Sequence, residues 1–280
     1  MRLMRVGEPG AERPAMMDDS GTIRDLSGVV PDIAGEALSD STLGHLRALE
    51  PARLPALDPD IRIGPCVGGI GKVICVGLNY EDHARETGAA IPTEPVLFAK
   101  AVSAISGPDD PIPTPRESTA LDYEVELAIV IGRRTQYVSE MEAMNHVAGF
   151  ALFNDVSERD FQKHRGGQWT KGKSHDGFGP LGPWLVTRDA FDPSDAPLSL
   201  DVNRERRQTG STARMIFRVP EIVSYVSQFM TLHPGDVIPT GTPPGVALGM
   251  TPPGFLRPGD VVELAIGGLG RQRQEVIPPV

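Results

Sequence analysis

The sequence predicts an α+β fold in which strands dominate, and three observations point there. The 280 residues include 31 Gly and 27 Pro, far more punctuation than a helical bundle tolerates and suited to many turns between short strands. Apolar, β-branched runs of strand length recur along the chain, whereas helical patterning is confined to a few short windows. Hydrophobic residues make up 40% and charged residues 23%, so the chain can bury a sizeable core and is not a disordered one.

Length suits one large domain, or one large and one small. Residues 1–68 read as a small N-terminal α/β subdomain and connector: strand-like pieces at 3–6 and 23–26, a helical stretch at 43–49, then Pro51, Pro55, Pro59 and Pro65 as punctuation. The main domain, 69–280, opens on a strand at 72–77. A short helical turn over 79–86 follows, then a Pro- and Gly-rich passage into a strand at 95–100. Residues 124–131 read as a strand, 139–145 as a helix and 148–153 as a strand ending at Asn154-Asp155. Residues 156–183 form a long polar segment with few apolar anchors, and loops of that length in compact domains are often functional. Strands at 198–202 and 261–266 and a helix over 219–230 complete the reading.

The net charge of -10 argues against a broad nucleic-acid surface, which relies on clustered Lys and Arg. A small anionic substrate remains compatible, provided the pocket is locally positive; a bound metal ion supplies that in an acidic protein. Cys66 and Cys75 are the only cysteines. They lack metal-type spacing, and no secretory leader is read at the N-terminus, so a cytoplasmic location is expected. Cys75 lies in the apolar run Val73-Ile74-Cys75-Val76 and reads as a packed core thiol. No run of about 18 apolar residues occurs, so no membrane span is expected.

The chemistry concentrates in Asp122-Tyr123-Glu124-Val125-Glu126-Leu127-Ala128-Ile129-Val130-Ile131. In a strand, positions i and i+2 share a face, so Glu124 and Glu126 point one way while Val125, Leu127, Ile129 and Ile131 point the other. Two carboxylates this close repel unless a cation, a shared proton or basic partners intervene. The alternatives are a hard divalent metal site, a solvated strand end or an ion-pair ladder. Asp155, directly after a strand, either adds a third carboxylate or makes an Asx turn. Three carboxylates suit Mg²⁺ or Mn²⁺, and the missing Cys/His set disfavours structural zinc. His83 and Glu86 are three apart on a helical turn. That spacing serves a carboxylate-oriented base for water or a surface ion pair. Lys173, in the polar segment, is a solvated loop lysine or a partner for a substrate carboxylate or enolate. The turn Thr240-Gly241-Thr242-Pro243-Pro244-Gly245 is structural or an anion site made of backbone N–H groups and a hydroxyl.

Taken in order, these segments resemble the fumarylacetoacetate hydrolase family over about residues 70–270. The matching pieces are Gly77-Leu78-Asn79-Tyr80 with His83 and Glu86, Phe98-Ala99-Lys100 with Ser106-Gly107-Pro108, Asp122 to Leu127, Asn154-Asp155-Val156-Ser157 with Arg159-Asp160, Gly172-Lys173-Ser174, and Thr240 to Gly245. The resemblance implies a mixed β-sheet roll, a homodimer, and Mg²⁺ or Mn²⁺ held by Glu124, Glu126 and Asp155. By the same match His83 and Glu86 fall on a lid dyad, Lys173 on an active-site lysine and Thr242 on a substrate-carboxylate contact. Tyr80, Lys100, Arg159, Gln162 and Gly241 fall at further substrate-binding positions. Within the family, Glu86 to Pro92, Gly7-Glu8-Pro9-Gly10 with Arg13-Pro14, and Phe178 to Trp184 most resemble 2,4-diketo-3-deoxy-L-rhamnonate hydrolases, whose sequences often carry the label ureidoglycolate lyase. Glu158 and His175 depart from that pattern: a small residue is common at the first position and an aromatic or aliphatic one at the second.

The expected activity is metal-dependent hydrolysis of a carbon-carbon bond in a 2,4-diketo acid. Oxaloacetate decarboxylation and tautomerisation of a 2-oxo acid use the same metal and the same end of the substrate and stay open. An intact His83, Glu86 and Lys173 set disfavours a non-catalytic binding protein. Removing Glu124 or Asp155 is expected to abolish activity with little loss of fold.

Overall fold

The apolar run at 125–131 forms a fully buried strand inside a nine-stranded sheet. The computed structural model describes residues 1–279. In chain order it contains β1 (Arg2–Val6), β2 (Arg13–Met17), β3 (Ile23–Asp25), α1 (Asp40–Arg47), β4 (Val73–Gly77), α2 (Glu81–Glu86) and β5 (Val96–Lys100). Three two-residue strands, β6 (Ile105–Ser106), β7 (Ile112–Pro113) and β8 (Leu121–Asp122), lead to β9 (Val125–Ile131), α3 (Glu140–Ala143) and β10 (Val147–Asn154). Then come β11 (Ser157–Glu158), α4 (Arg159–Lys163), α5 (Thr170–Lys173), β12 (Gly179–Pro180), β13 (Leu185–Thr187) and β14 (Pro197–Val202). The rest is β15 (Glu205–Ser211), α6 (Val219–Phe229), β16 (Val237–Pro239), β17 (Val261–Ile266) and β18 (Gly270–Ile277). The fold is the strand-rich α+β class that the composition predicts.

The large sheet has the order β3-β2-β1-β13-β10-β9-β16-β4-β5, and a second sheet runs β15-β14-β17-β18-β7. Alternate residues of β9 feed two cores. Val125, Leu127, Ile129 and Ile131 join Leu200, Leu264, Ile222 and Val226 from the second sheet and α6. Ala128 and Val130 join Leu43 and Leu46 of α1 on the other face. Burying each Val, Leu or Ile side chain is worth roughly 1.5–3 kcal/mol. A one-residue slip would exchange the faces, so this packing fixes where Glu126 points.

Residues 1–68 are joined to the remainder edge to edge: β1 pairs with β13, Arg2 opposite Val186. The first helix starts earlier than expected because the Ser39 side chain caps it, accepting from Thr42 N at 3.3 Å. The helix expected at 139–145 is one α-turn followed by a 3₁₀ turn at Met144–His146.

The polar segment 156–183 is a correction. It is not an open loop but holds β11, α4, α5 and β12, with Arg159, Phe161, Gln162 and Lys173 buried. Its polar residues go inside because their partners are buried carboxylates. Strands β2, β13, β15, β16 and β18 escape the sequence reading. β13 and β16 are too short to show a period, and β15 and β18 are largely polar. The polarity has a use, since buried glutamines in those strands pin the second sheet to the first. Gln208 accepts from Val125 N at 3.0 Å, and Gln272 donates to the carbonyls of Leu152 and Gly182, each at 2.9 Å.

Candidate active site

Strand pairing builds the acidic centre. In the antiparallel pair β9–β10, Val125 lies opposite Asn154, so Glu124 and Asp155 meet just beyond the ladder, where Asp155 N donates to Glu124 O at 2.9 Å. Glu126 lies on the same side of β9 as Glu124. One oxygen from each of Glu124, Glu126 and Asp155 falls within 4.8 Å of the others, and all three residues are buried. Asn154 holds the junction: its Oδ1 accepts from Glu124 N at 3.2 Å and its Nδ2 donates to Gln274 at 3.0 Å.

Three cations surround two of these carboxylates. Lys173 Nζ donates to Glu124 Oε2 and Asp155 Oδ2, both at 2.7 Å. Lys100 Nζ is 2.7 Å from Asp155 Oδ1 and donates to the carbonyls of Val156 and Phe178 at 3.1 and 2.8 Å, and to that of Lys173. Arg159 bridges Asp122 and Glu124 through Nε at 2.8 Å and Nη2 at 2.7 Å. Asp122 in turn accepts from the backbone of Ala247 at 2.8 Å and Leu248 at 3.1 Å. Burial alone would raise the Glu124 carboxyl, but the charges of Arg159 and Lys173 hold it well below the usual range. Lys173 is pushed down by burial and, more strongly, up by Asp155 and Glu124, so it stays an ammonium.

Glu126 is the exception. No cation touches it; Gly241 N donates to its Oε2 at 2.9 Å. Burial, and then the charges of Asp155 and Glu124, push its carboxyl well above the ordinary value. A buried carboxylate with hard oxygen donors beside it and no counter-charge of its own is the situation that a divalent cation resolves. The donor set therefore fits Mg²⁺ or Mn²⁺ through Glu124, Glu126 and Asp155.

The turn after β16 brings the second wall. β16 pairs with β9, Pro239 opposite Ala128, which carries Thr240, Gly241 and Thr242 alongside Glu126. Gly241 has φ +96, and a Cβ there would lie 2.8 Å from that of Asn79, so only glycine brings this N–H to Glu126. Thr242 Oγ1 donates to Val125 O at 2.9 Å and accepts from Gln208 at 2.8 Å. On α2, His83 Nδ1 is 3.3 Å from Glu86 Oε2, while Gly245 N donates to Glu86 at 2.9 Å. Glu86 is thus anchored to the turn and steers the imidazole, whose Nε2 makes no hydrogen bond among the described residues. His83, Glu124, Glu126, Lys173 and Thr242 line one cavity of about 110 Å³.

A family model for the C-terminal part of fumarylacetoacetate hydrolase matches residues 72–277. The chain belongs to the fumarylacetoacetate hydrolase family. A Burkholderia cenocepacia relative, provisionally named a hydrolase, is 53% identical over 276 residues, which is 98% of each chain. The fumarylacetoacetate hydrolase of psychrophilic Exiguobacterium antarcticum is 40% identical with a TM-score of 0.84 over 99% of each chain. A 2-hydroxyhepta-2,4-diene-1,7-dioate isomerase from Mycobacterium marinum is 35% identical with a TM-score of 0.79, covering 99% of this chain and 98% of its own. The protein is therefore an enzyme of a fumarylacetoacetate hydrolase family that holds both hydrolases and isomerases.

Of the twelve residues singled out in the sequence, eight line the cavity, His83, Glu124, Glu126, Arg159, Gln162, Lys173, Gly241 and Thr242, and Glu86 stands behind His83. Asp155 lies beneath, tied to Lys173. Lys100 is fully buried and spent on Asp155 and carbonyls, which makes it a support for Asp155, away from the cavity lining. Tyr80 lies outside this lining too. Its hydroxyl is buried without a partner, and burial, then the Glu126 charge, raises its pKa. Glu158 accepts from the backbone of Ala120 at 2.9 Å and Phe161 at 2.7 Å, capping α4 and fixing its approach. His175 packs between the rings of Phe161 and Phe178. Sequence reasoning missed Asp122 and Gln208 as site supports. Asp122 is legible only as a third acid in the same run; Gln208, in a polar strand, gave no signal.

Proposed function

We propose that the protein hydrolyses the carbon-carbon bond of a 2,4-diketo acid, R–CO–CH₂–CO–COO⁻ + H₂O giving R–COO⁻, H⁺ and pyruvate. The observation that carries this is one cavity lined by Glu124 and Glu126, with Asp155 beneath them, and by an imidazole that is oriented by Glu86 and, among the described residues, has a free Nε2. A bound Mg²⁺ or Mn²⁺ would polarise the 2-oxo acid end and lower the energy of the enolate that C–C cleavage releases. His83 takes a proton from water as the oxygen attacks the C4 carbonyl; Glu86 holds the ring and stabilises its positive form. When the C3–C4 bond breaks, its electron pair moves onto the pyruvate fragment, and Lys173 lies where that negative charge develops. Protonation of C3 completes pyruvate. Arg159 and Gln162, hydrogen-bonded to each other at 3.0 Å, and Thr242 border the acid end.

Among diketo acids, 2,4-diketo-3-deoxy-L-rhamnonate, giving pyruvate and lactate, is the first candidate from the sequence resemblance. The isomerase relative supports a second reading, tautomerisation of a 2-oxo acid, and oxaloacetate decarboxylation needs the same enolate. Product analysis separates them: hydrolysis yields a second acid with pyruvate, decarboxylation yields carbon dioxide with pyruvate, and tautomerisation conserves the carbon skeleton. A homodimer is the expected assembly by family resemblance, testable by light scattering. No helix among the described residues is long and apolar enough to cross a membrane.

A further inference from the structure

The cavity has two unlike walls. Leu78, Ala89, Phe98, Trp169 and Leu248 form an apolar side, with the Phe98 and Trp169 rings 5.1 Å apart. Helix α4 supplies a polar stripe to the same lining. Residues i, i+3 and i+4 of a helix share a face, and on α4 these are Arg159, Gln162 and Lys163, all lining the cavity. The stripe leads away from the triad: Arg159 touches Glu124, Gln162 is bonded to Arg159, and Lys163 is exposed at the mouth.

The cavity's cations differ in commitment. Arg159 and Lys173 each bridge two carboxylates. Asp160, three residues before Lys163 on α4, is taken by Arg165 at 3.2 Å. Among the described residues Lys163 makes no ion pair, and the acids whose charge reaches it, Glu124 and Asp122, are already bridged by Arg159. Its pKa is lowered, first by partial burial and then by the Arg159 charge, as expected of an ammonium held near a like charge with no partner.

We infer that Lys163 is a specificity residue that receives a second carboxylate at the far end of the substrate. This rests on the diketo-acid reading and narrows it. The acid group common to all such substrates is held at the triad end, the chain runs along the apolar wall, and an anionic tail meets Lys163. A dicarboxylic acylpyruvate is then preferred over one with a neutral tail, the rhamnonate-derived acid included.

Two unreactive pairs test this, binding to the Mg²⁺-loaded protein measured by calorimetry: 2-oxoglutarate against 2-oxopentanoate, and 2-oxoadipate against 2-oxohexanoate. Within each pair only the terminal carboxylate differs. The dicarboxylate of at least one pair should bind about fivefold tighter, the range of a partly exposed charge-assisted contact. In Lys163→Met that advantage should disappear, with the monocarboxylate affinity shifting far less. No advantage in the wild type overturns the inference. So does equal weakening of both partners in the variant, which would place Lys163 on the shared carboxylate. Turnover of a diketo acid is scored separately, so the hydrolase reading survives or fails on its own.

Discussion

At the scale of single residues, Asp155 combines the place of a proposed metal ligand with that of a structural charge. It lies between Lys100 and Lys173, each 2.7 Å away, and is fully buried. The expectation that a triad carboxylate can be removed with little loss of fold does not follow from this geometry. Asp155→Ala leaves the buried Lys100 without its acid and Lys173 with Glu124 alone, and should cost about 3 kcal/mol or more in urea unfolding. Asp155→Asn keeps the shape and should cost less, while both lose metal binding. Loss of activity in Ala with unchanged stability would contradict the charge pairing. His83 has a different task. His83→Ala should lower kcat by about 100-fold or more and leave Mg²⁺ affinity within a few-fold. Glu86→Gln should fall between, because the Gly245 N–H keeps an acceptor and the imidazole loses only its charge partner. Glu124, Glu126 and Asp155 were legible because strand alternation and a strand end are local signals. The commitment of Lys100 was not, since it depends on three carbonyls brought from residues 156, 173 and 178.

At the scale of elements, the placement of α5 against α4 decides whether Lys173 reaches the triad. Gly172 makes that contact possible: an added Cβ would lie 2.4 Å from Glu158 O and 2.6 Å from Gln162 N. These are backbone atoms that cannot turn aside. Gly172→Ala should push α5 away, destabilise the protein by about 1–3 kcal/mol and reduce kcat more than Lys163→Met does. Wild-type kinetics and unfolding in that variant would show that the two helices are not as closely packed as described. The same region marks the limit of reading from sequence. Residues 156–183 have too few apolar anchors for periodicity to register, so they read as a loop. Their order comes from buried charge pairs and from Glu158 capping α4, which no local pattern reveals. Strands β9 and β10 were legible because their apolar runs exceed five residues; β15 and β18 were not, because half their residues face water.

At the scale of the whole molecule, the metal site couples to stability and pH through Glu126. Its carboxyl is pushed up on folding, so between the ordinary and the raised value the folded, metal-free chain binds more protons than the unfolded one. Stability then falls as pH rises through that window. Cation binding requires the carboxylate and releases the proton, so metal affinity rises with pH. The gain in Tm on adding Mg²⁺ should thus be larger at about pH 8 than at about pH 5.5, checked by calorimetry; an equal gain at both would show that cation binding displaces no proton from Glu126 over that range. Charge also bears on the partner. In a protein of net charge -10, the anionic acid of the proposed reaction would be drawn in only by a local positive cluster, here Lys163, Arg159, Lys173 and the proposed cation. The central claim is metal-dependent carbon-carbon hydrolysis at this cluster. Proton NMR of 2,4-diketo-3-deoxy-L-rhamnonate or a dicarboxylic acylpyruvate with metal-free protein, before and after Mg²⁺, tests it most directly. Pyruvate and the second acid should appear together, and only after the metal; equal turnover without it, or pyruvate with no second acid, would rule this chemistry out.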